Sequence, residues 1–153
     1  MLRMPRKTMF ALEAVVDIAY NARPEPVQSK EITRRQGIPQ RYLEQVMQQL
    51  VHAGILKGVR GPRGGYTLAR ERRRITIGEV VRVIDALDHD DKDEEQPEAP
   101  GSDLGQRVVR PLWSEMQEEM MQKLDAVTLE DICHRAREAG IKAEGRERLD
   151  FNI

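Results

Sequence analysis

The chain has 153 residues, of which 39% are apolar and 33% are charged, and this composition suits one compact domain, or a small domain plus an appendage. No apolar run approaches the ~18 residues of a membrane span, and the N-terminus lacks a signal-peptide pattern, so we expect a cytoplasmic protein without a membrane partner. The single cysteine, Cys133, excludes an intrachain disulfide and a cysteine-rich metal site built within one chain.

Charge is distributed unevenly along the chain, although the formal net charge is only −1. Residues 1–87 carry 16 Lys and Arg against 8 Asp and Glu, whereas residues 88–153 carry 9 against 18. A basic segment can neutralise nucleic-acid phosphates and an acidic one cannot. The asymmetry therefore favours nucleic-acid binding by the first half, against the alternative of an uneven but merely solvated surface.

Periodicity and helix-breaking residues predict three helices before residue 55. An apolar stripe over residues 8–22 indicates the first helix, which "RPEPV" ends. Ser29 is expected to cap a short second helix, "KEITRRQ", which Gly37 closes. Pro39 then begins a third helix over residues 39–53. Its spacing predicts a buried face made of Leu43, Val46, Met47, Leu50 and Val51.

A β-hairpin with a glycine-rich tip is predicted next, because "ILKGVR" and "GYTLA" alternate apolar and polar residues on either side of "GPRG". Tyr66 is expected to pack beneath this hairpin. Thr76 and Glu79 predict a capping box that opens a helix through Leu87. The order of elements is typical of a winged helix-turn-helix, so residues 1–87 are assigned to a DNA-binding domain that is mainly α with a small β-hairpin wing.

Composition changes abruptly at residue 88, where "DHDDKDEEQPEAPGSD" has too few apolar side chains to pack. We therefore predict an acidic disordered loop over residues 88–106, then a long dimerisation helix and a C-terminal helix over 107–139, and a charged tail over 140–153. Thr128 is expected to cap the last helix. The long helix carries an apolar stripe that we expect to lie against a second copy of the chain: Val109, Leu112, Trp113, Met116, Met120 and Leu124.

The predicted third helix has the residues needed to read DNA bases. A major groove admits one α-helix, and the side chains near the start of that helix reach the base edges. Arg41 suits guanine or a phosphate, glutamine suits adenine, and Glu44 can accept from the amino group of cytosine. Ser29, at the start of the preceding helix, joins the same predicted DNA-binding set. The candidates on the third helix are Gln40, Arg41, Tyr42, Glu44 and Gln45.

The predicted wing tip combines a slender backbone with positive charge. A minor groove is only ~6 Å wide, and its negative potential attracts arginine, which here is Arg60 or Arg63. We expect the glycines to adopt backbone angles that other residues avoid. The candidate wing contacts are Arg60, Gly61, Pro62, Arg63, Gly64 and Gly65.

Three strings, "RYLEQVMQQLVHAGIL", "VRGPRGGYTLA" and "ITIGEVVRVID", resemble the Rrf2 family of bacterial transcription regulators. The resemblance covers residues 5–87 well and residues 107–133 more loosely. It implies a homodimer in which the helix over 107–124 crosses to the partner chain. It also implies that Tyr42, Glu44 and Gln45 lie in the groove-reading helix, and that the arginine in the minor groove is the first one of the wing, Arg60.

The chain departs from the iron–sulfur members of that family, which carry three cysteines in the loop before the long helix. This chain has none there, and the histidine ligand of the iron–sulfur regulator falls on Arg110. A thiolate-bound cluster normally needs four soft ligands. We therefore predict a regulator with no iron–sulfur cluster and no metal, whose effector is a small molecule, a partner protein or nothing.

Taken together, the residues and the resemblance predict a homodimeric, sequence-specific repressor that binds double-stranded DNA. Two alternatives stay open: a winged-helix module that binds a protein partner, and a regulator that holds an unusual cluster through Cys133 and residues of both protomers. No Ser/His/Asp arrangement, phosphate loop or paired carboxylates support an enzyme. Cys133 is expected to be an inert packed thiol, and arginines 72–74 are expected either to touch phosphates or to decorate a turn.

Overall fold

A computed structural model describes residues 4–92 and 101–144, with side chains omitted for 88–92, and confirms a mainly helical fold with one β-hairpin. No helix in this described part is long and apolar enough to cross a bilayer. The elements in chain order are α1 (Arg6–Tyr20), α2 (Ser29–Gln36), α3 (Gln40–His52), β1 (Leu56–Val59), β2 (Gly65–Leu68), a 3-10 turn (Arg72–Arg74), α4 (Ile77–Lys92), a π-helical turn (Gly105–Val109), α5 (Arg110–Asp125) and α6 (Leu129–Glu138).

Helix α1 lies at the centre of the core and packs on α2, α3, α4 and α6. Its Ala11, Val15 and Ile18 are at most 1% exposed, and Leu129 and Cys133 of α6 are fully buried in the same core. The face of α3 that periodicity predicts is also confirmed, since it contributes Leu43, Val46, Met47 and Leu50, with Val51 half-buried beside them.

The ends of the helices confirm two predicted caps and correct a third. Gly37 ends α2 in the left-handed conformation, with φ of 66°. Thr128 caps α6, where its hydroxyl accepts from the Asp131 N–H at 3.1 Å. The assignment of Ser29 as a cap is wrong, because Ser29 is the first residue of α2 and Gln28 precedes it in an extended conformation. The Gln28 N–H donates to the Glu31 carboxylate at 2.8 Å, and that charged acceptor three residues on sets the start of the helix.

Helix α4 begins as predicted but differs in its cap and its length. The Glu79 N–H donates to the Thr76 hydroxyl at 3.1 Å, while the Glu79 carboxylate pairs with Arg70 instead of returning to the cap. The helix continues to Lys92, five residues past the predicted end at Leu87. The predicted loop boundary at residue 88 is therefore wrong. A helix that runs out of apolar side chains loses packing, but it can keep its backbone hydrogen bonds.

The second half of the predicted acidic loop is also partly helical, because a helical turn begins at residue 103 and runs through the π-helical turn into α5. Of the remainder, residues 101 and 102 are not helical and residues 93–100 lie outside the described part of the chain. Its disorder therefore stays a prediction for those residues alone.

The hairpin is antiparallel, with Leu56 opposite Leu68 and Val59 opposite Gly65. A third extended residue, Val27, exchanges two backbone hydrogen bonds with Tyr66, at 2.9 and 2.8 Å. Tyr66 is half-buried against the core, which confirms its predicted packing. The base of the hairpin is thus fastened to the segment between α1 and α2.

The start of the predicted charged tail is fixed to the body of the protein. Ala143 is buried, and the Glu144 N–H donates to the Asn21 side chain at 3.0 Å. The Glu144 carboxylate accepts from Arg35 at 2.6 Å. Residues 145–153 lie outside the described part of the chain.

Gly65 should be intolerant of a side chain, because a Cβ there would lie 2.4 Å from the Val27 carbonyl oxygen. We expect Gly65→Ala to lower the free energy of unfolding by about 1–3 kcal/mol in urea denaturation, since the strand must move away from Val27. Gly58→Ala is the matched control, because a Cβ at Gly58 meets nothing within 4 Å. Equal stability of the two variants would contradict the close approach.

Candidate nucleic-acid interface

Helix α3 presents a polar face to solvent directly opposite its buried face. The predicted base-reading residues of α3 are brought together on this exposed face: Gln40, Arg41, Tyr42, Glu44 and Gln45. Gln48 is exposed too and extends this surface by one turn, although the sequence analysis did not select it. The signal was present, since Gln48 follows Glu44 by four residues and therefore shares its side of the helix.

The side chains on this face make few contacts with the rest of the described protein. Tyr42 is 43% exposed, and its ring lies against Phe10 of α1 with centroids 6.1 Å apart. The Gln40 amide donates to the Glu44 carboxylate at 3.4 Å, a long contact that a base could replace at small cost. Tyr42 is thus held in position by its contact with α1, while the side chains of Gln40 and Glu44 remain accessible to a ligand.

Three arginines at this surface carry charge that no described residue neutralises. Arg41, Arg60 and Arg63 are exposed, and none pairs with any residue in the described ranges 4–92 and 101–144. By contrast, Arg72 pairs with Glu130, and Arg73 pairs with Glu71 at 2.6 Å. The unpaired arginines of α3 and the wing are therefore better suited to phosphates than Arg72 and Arg73 of the 3-10 turn.

The wing tip is narrow for two different reasons. Gly61 has φ of 110°, which confirms an unusual backbone angle at that position. Gly64 and Gly65 do not have positive φ, so the same expectation is wrong for them; they are needed because other backbone approaches closely. A Cβ on Gly64 would lie 2.2 Å from the Val59 carbonyl oxygen. Pro62 is exposed at the tip between Gly61 and Arg63.

Helix α2, whose first residue Ser29 is half-buried, is positioned by an ion network at each of its ends. At its C-terminal end, Arg35 donates to both oxygens of the buried Asp17 at 2.7 and 2.8 Å, and the hydrogen bond raises the pKa of Arg35. At its N-terminal end, burial opposes ionisation of Glu31, but the Arg23 hydrogen bonds and the Gln28 N–H outweigh it and lower the pKa of Glu31. Both networks fix α2, and with it the turn that leads into α3.

Helix α5 carries an apolar face that the described residues leave uncovered. None of its residues is buried. Leu124 differs from the rest of the predicted stripe, because it is half-buried and packs on the chain's own core. The other predicted stripe residues are between 46% and 56% exposed: Val109, Leu112, Trp113, Met116 and Met120.

Cys133 is fully buried in α6 and is poorly placed for chemistry. Burial raises the pKa of its thiol, and the nearby Arg72 only partly offsets this effect. Among the described residues there is no group of three or more His, Cys, Asp or Glu side chains that could hold a metal ion. His89 and its acidic neighbours belong to the residues whose side chains are not described.

A cavity of about 520 Å³ lies between α1 and α6, with apolar walls that include Leu12, Val16 and Ile132. Asp17 and Arg35 also line it, so it borders the ion network at the end of α2. Its volume is within the range of small-molecule sites. A small-molecule effector, one of the predicted alternatives, stays a prediction.

With this geometry in place, comparison with known proteins identifies the family. The Rrf2 profile, described as an iron-dependent transcriptional regulator, matches residues 4–135. The chain is 31% identical over 131 residues to the HTH-type transcriptional regulator IscR of Xenorhabdus nematophila, covering 86% of this chain and 79% of that protein. It is also 31% identical over 136 residues to protein rrf2 of Nitratidesulfovibrio vulgaris, covering 88% and 89% of the two chains.

Solved structures agree with the sequence comparison. The chain is similar to IscR of T. potens with a TM-score of 0.72 and 33% identity, covering 96% of each chain. It is similar to CymR of B. subtilis, the global cysteine regulator, with a TM-score of 0.68 and 27% identity, covering 88% of this chain and 98% of that one. The profile match over residues 4–135, together with these relatives, shows that the chain belongs to the Rrf2 family of DNA-binding transcriptional regulators.

Proposed function

We propose that this Rrf2 regulator is a cytoplasmic homodimeric repressor that reads a two-fold symmetric operator through α3 and the wing of each protomer. The observation that carries the proposal is an exposed polar face on α3 together with wing arginines that pair with no residue in the described part of the chain. Because a recognition helix reads bases while cations bind phosphates and narrow minor grooves, these two elements supply specificity and affinity together.

Each exposed group has a role that follows from its chemistry. Glu44 accepts from cytosine N4, Gln45 pairs with adenine, and Arg41 binds guanine or a phosphate. Arg60 enters the minor groove beside the tip, where Gly61 and Gly64 keep the backbone thin. No residue needs to act as a catalyst in this scheme, and the family is one of transcriptional regulators rather than enzymes.

The homodimer is supported by the apolar face formed by Val109 and α5, which the described residues leave uncovered. Five large apolar side chains about half exposed in a row form a patch that a monomer in water would not favour. A second copy presenting the same face would cover it by a two-fold axis. The half-sites of the operator are then about one helical turn apart, or a multiple of that distance.

We further propose that the regulator works without an iron–sulfur cluster, although the family profile is described as iron-dependent. The residues do not fit a cluster, because the 153-residue chain has one cysteine and that cysteine is fully buried in the core. A cluster normally needs four thiolates or equivalent soft ligands. The regulator therefore responds to a signal other than the state of an iron–sulfur cluster.

The alternative of a protein-binding winged helix is not favoured, since the relatives are transcriptional regulators. Salt-sensitive binding to duplex DNA would support the main proposal over this alternative. A stoichiometric protein complex without duplex affinity would support the alternative.

Arg60→Ala should weaken operator binding by about 1–3 kcal/mol and relax base preference at minor-groove positions. The measurement is a gel-shift titration against a duplex selected by the wild-type protein. Arg73→Ala is the control, because it removes an equal charge from an arginine that already pairs with Glu71. Unchanged affinity of the Arg60 variant would contradict its role in the minor groove.

Met116→Glu should convert the homodimer to a monomer, because it places a charge in the apolar face of α5. Sedimentation equilibrium should give twice the 17.6 kDa chain mass for the wild type and about the chain mass for the variant at micromolar concentration. Gln122→Glu adds the same charge on the opposite side of the exposed helix and should stay dimeric. A wild type that sediments as a monomer would refute the proposed assembly.

Protein purified without oxygen should be colourless and contain no stoichiometric iron or acid-labile sulfide, because the chain lacks the ligands for a cluster. Absorption spectroscopy and metal analysis test this expectation. Cys133→Ser should behave identically. A brown protein that loses its colour in the Cys133 variant would restore the predicted alternative of an unusual cluster.

A further inference from the structure

The N-terminal end of α1 lies beside the base-reading end of α3. The two helices meet there through the rings of Phe10 and Tyr42, which are 6.1 Å apart and inclined at 48°. Phe10 lies in the first half of α1, and Tyr42 lies in the first turn of α3. The contact therefore joins the beginnings of the two helices.

Arg6, the first residue of α1, extends this juxtaposition. Residues four apart share one face of a helix, so Arg6 lies one turn before Phe10 on the face that meets α3. Arg6 is exposed, and it pairs with no residue within the described segments 4–92 and 101–144. The first turn of α1 has no acidic residue to compete for its charge.

A helix seated in a major groove has a sugar–phosphate strand on each side of it. An element that packs against the start of that helix comes close to one of these strands, where a cation contacts phosphate and fixes orientation without reading sequence. Arg6 meets both conditions, since it is charged and pairs with no described residue, and since Phe10 and Tyr42 hold its helix against α3.

We propose that Arg6 binds a backbone phosphodiester of the operator beside α3 and adds affinity that does not depend on base sequence. The ligand is the DNA phosphate itself, and the contact is additional to those of α3 and the wing. This inference rests on the proposed function, because it uses the operator-bound placement of α3.

The test compares Arg6→Gln with Arg135→Gln, which removes an equal charge from an exposed arginine on α6, a helix that packs on α1 and the 3-10 turn. Glutamine keeps helix propensity, and thermal unfolding followed by circular dichroism verifies that each variant folds. Fluorescence anisotropy then measures the affinity for two duplexes of equal length, one selected by the wild-type protein and one of scrambled sequence, from about 50 to about 200 mM salt.

Loss of one phosphate contact per protomer reduces the slope of log affinity against log salt by about 0.9, or about 1.8 for a dimer. Over that salt range the wild-type affinity should therefore fall about tenfold more than that of Arg6→Gln. The ratio of selected to scrambled affinity should not change, Arg6→Lys should restore most of the slope, and Arg135→Gln should match the wild type.

Equal slopes for Arg6→Gln and Arg135→Gln would overturn the contact, because only the general charge of the protein would then matter. A changed base preference in Arg6→Gln would also overturn it, since a phosphate contact carries no sequence information. Both results leave the proposed function intact, whereas failure of the wild-type protein to prefer its selected duplex would refute that function instead.

Discussion

The burial of one face of α3 is the constraint on which the interface depends. Leu43, Val46, Met47 and Leu50 are each at most 4% exposed, and burying such a side chain contributes about 1.5–3 kcal/mol. Turning α3 so that its polar face packed inward would expose all four. Arg41, Glu44 and three of its glutamines are thus turned outward, as the proposed base reading requires. The wing takes its position from the same body, because Val27 pairs with Tyr66 and leaves no room for a Cβ on Gly65.

Much of this architecture could be predicted from local sequence, since apolar spacing, breaker residues and turn chemistry act over a few positions. The buried face of α3, the hairpin and the cap at Thr128 belong to that class. The contact between Arg35 and Asp17, and that between Arg35 and Glu144, could not be predicted, because 18 and 109 residues separate the partners in the chain. The need for glycine at positions 64 and 65 cannot be predicted for a related reason: the backbone atoms that crowd Gly64 and Gly65 come close to them only when the hairpin is folded.

The protein has two exposed surfaces of opposite character. One is polar and cationic, with Arg41, Arg60 and Arg63 unpaired within the described part of the chain, and it suits a phosphate-lined groove. The other is the apolar face of α5, which suits a copy of itself. The end of α5 is fixed to α4, because Asp125 accepts two hydrogen bonds from Arg82 at 2.5 and 2.6 Å.

Selection of bound fragments from the source genome by the purified wild-type protein is the most direct measurement of this account. It predicts enrichment of one motif with two-fold symmetry, whose half-sites are centred about 10 base pairs apart or a multiple of that distance. It also predicts protection of each half-site in both the major groove and the flanking minor groove. Enrichment of no motif, or of a single unsymmetric site bound by one chain, would contradict the claim that α3 and the wing act together in a symmetric pair.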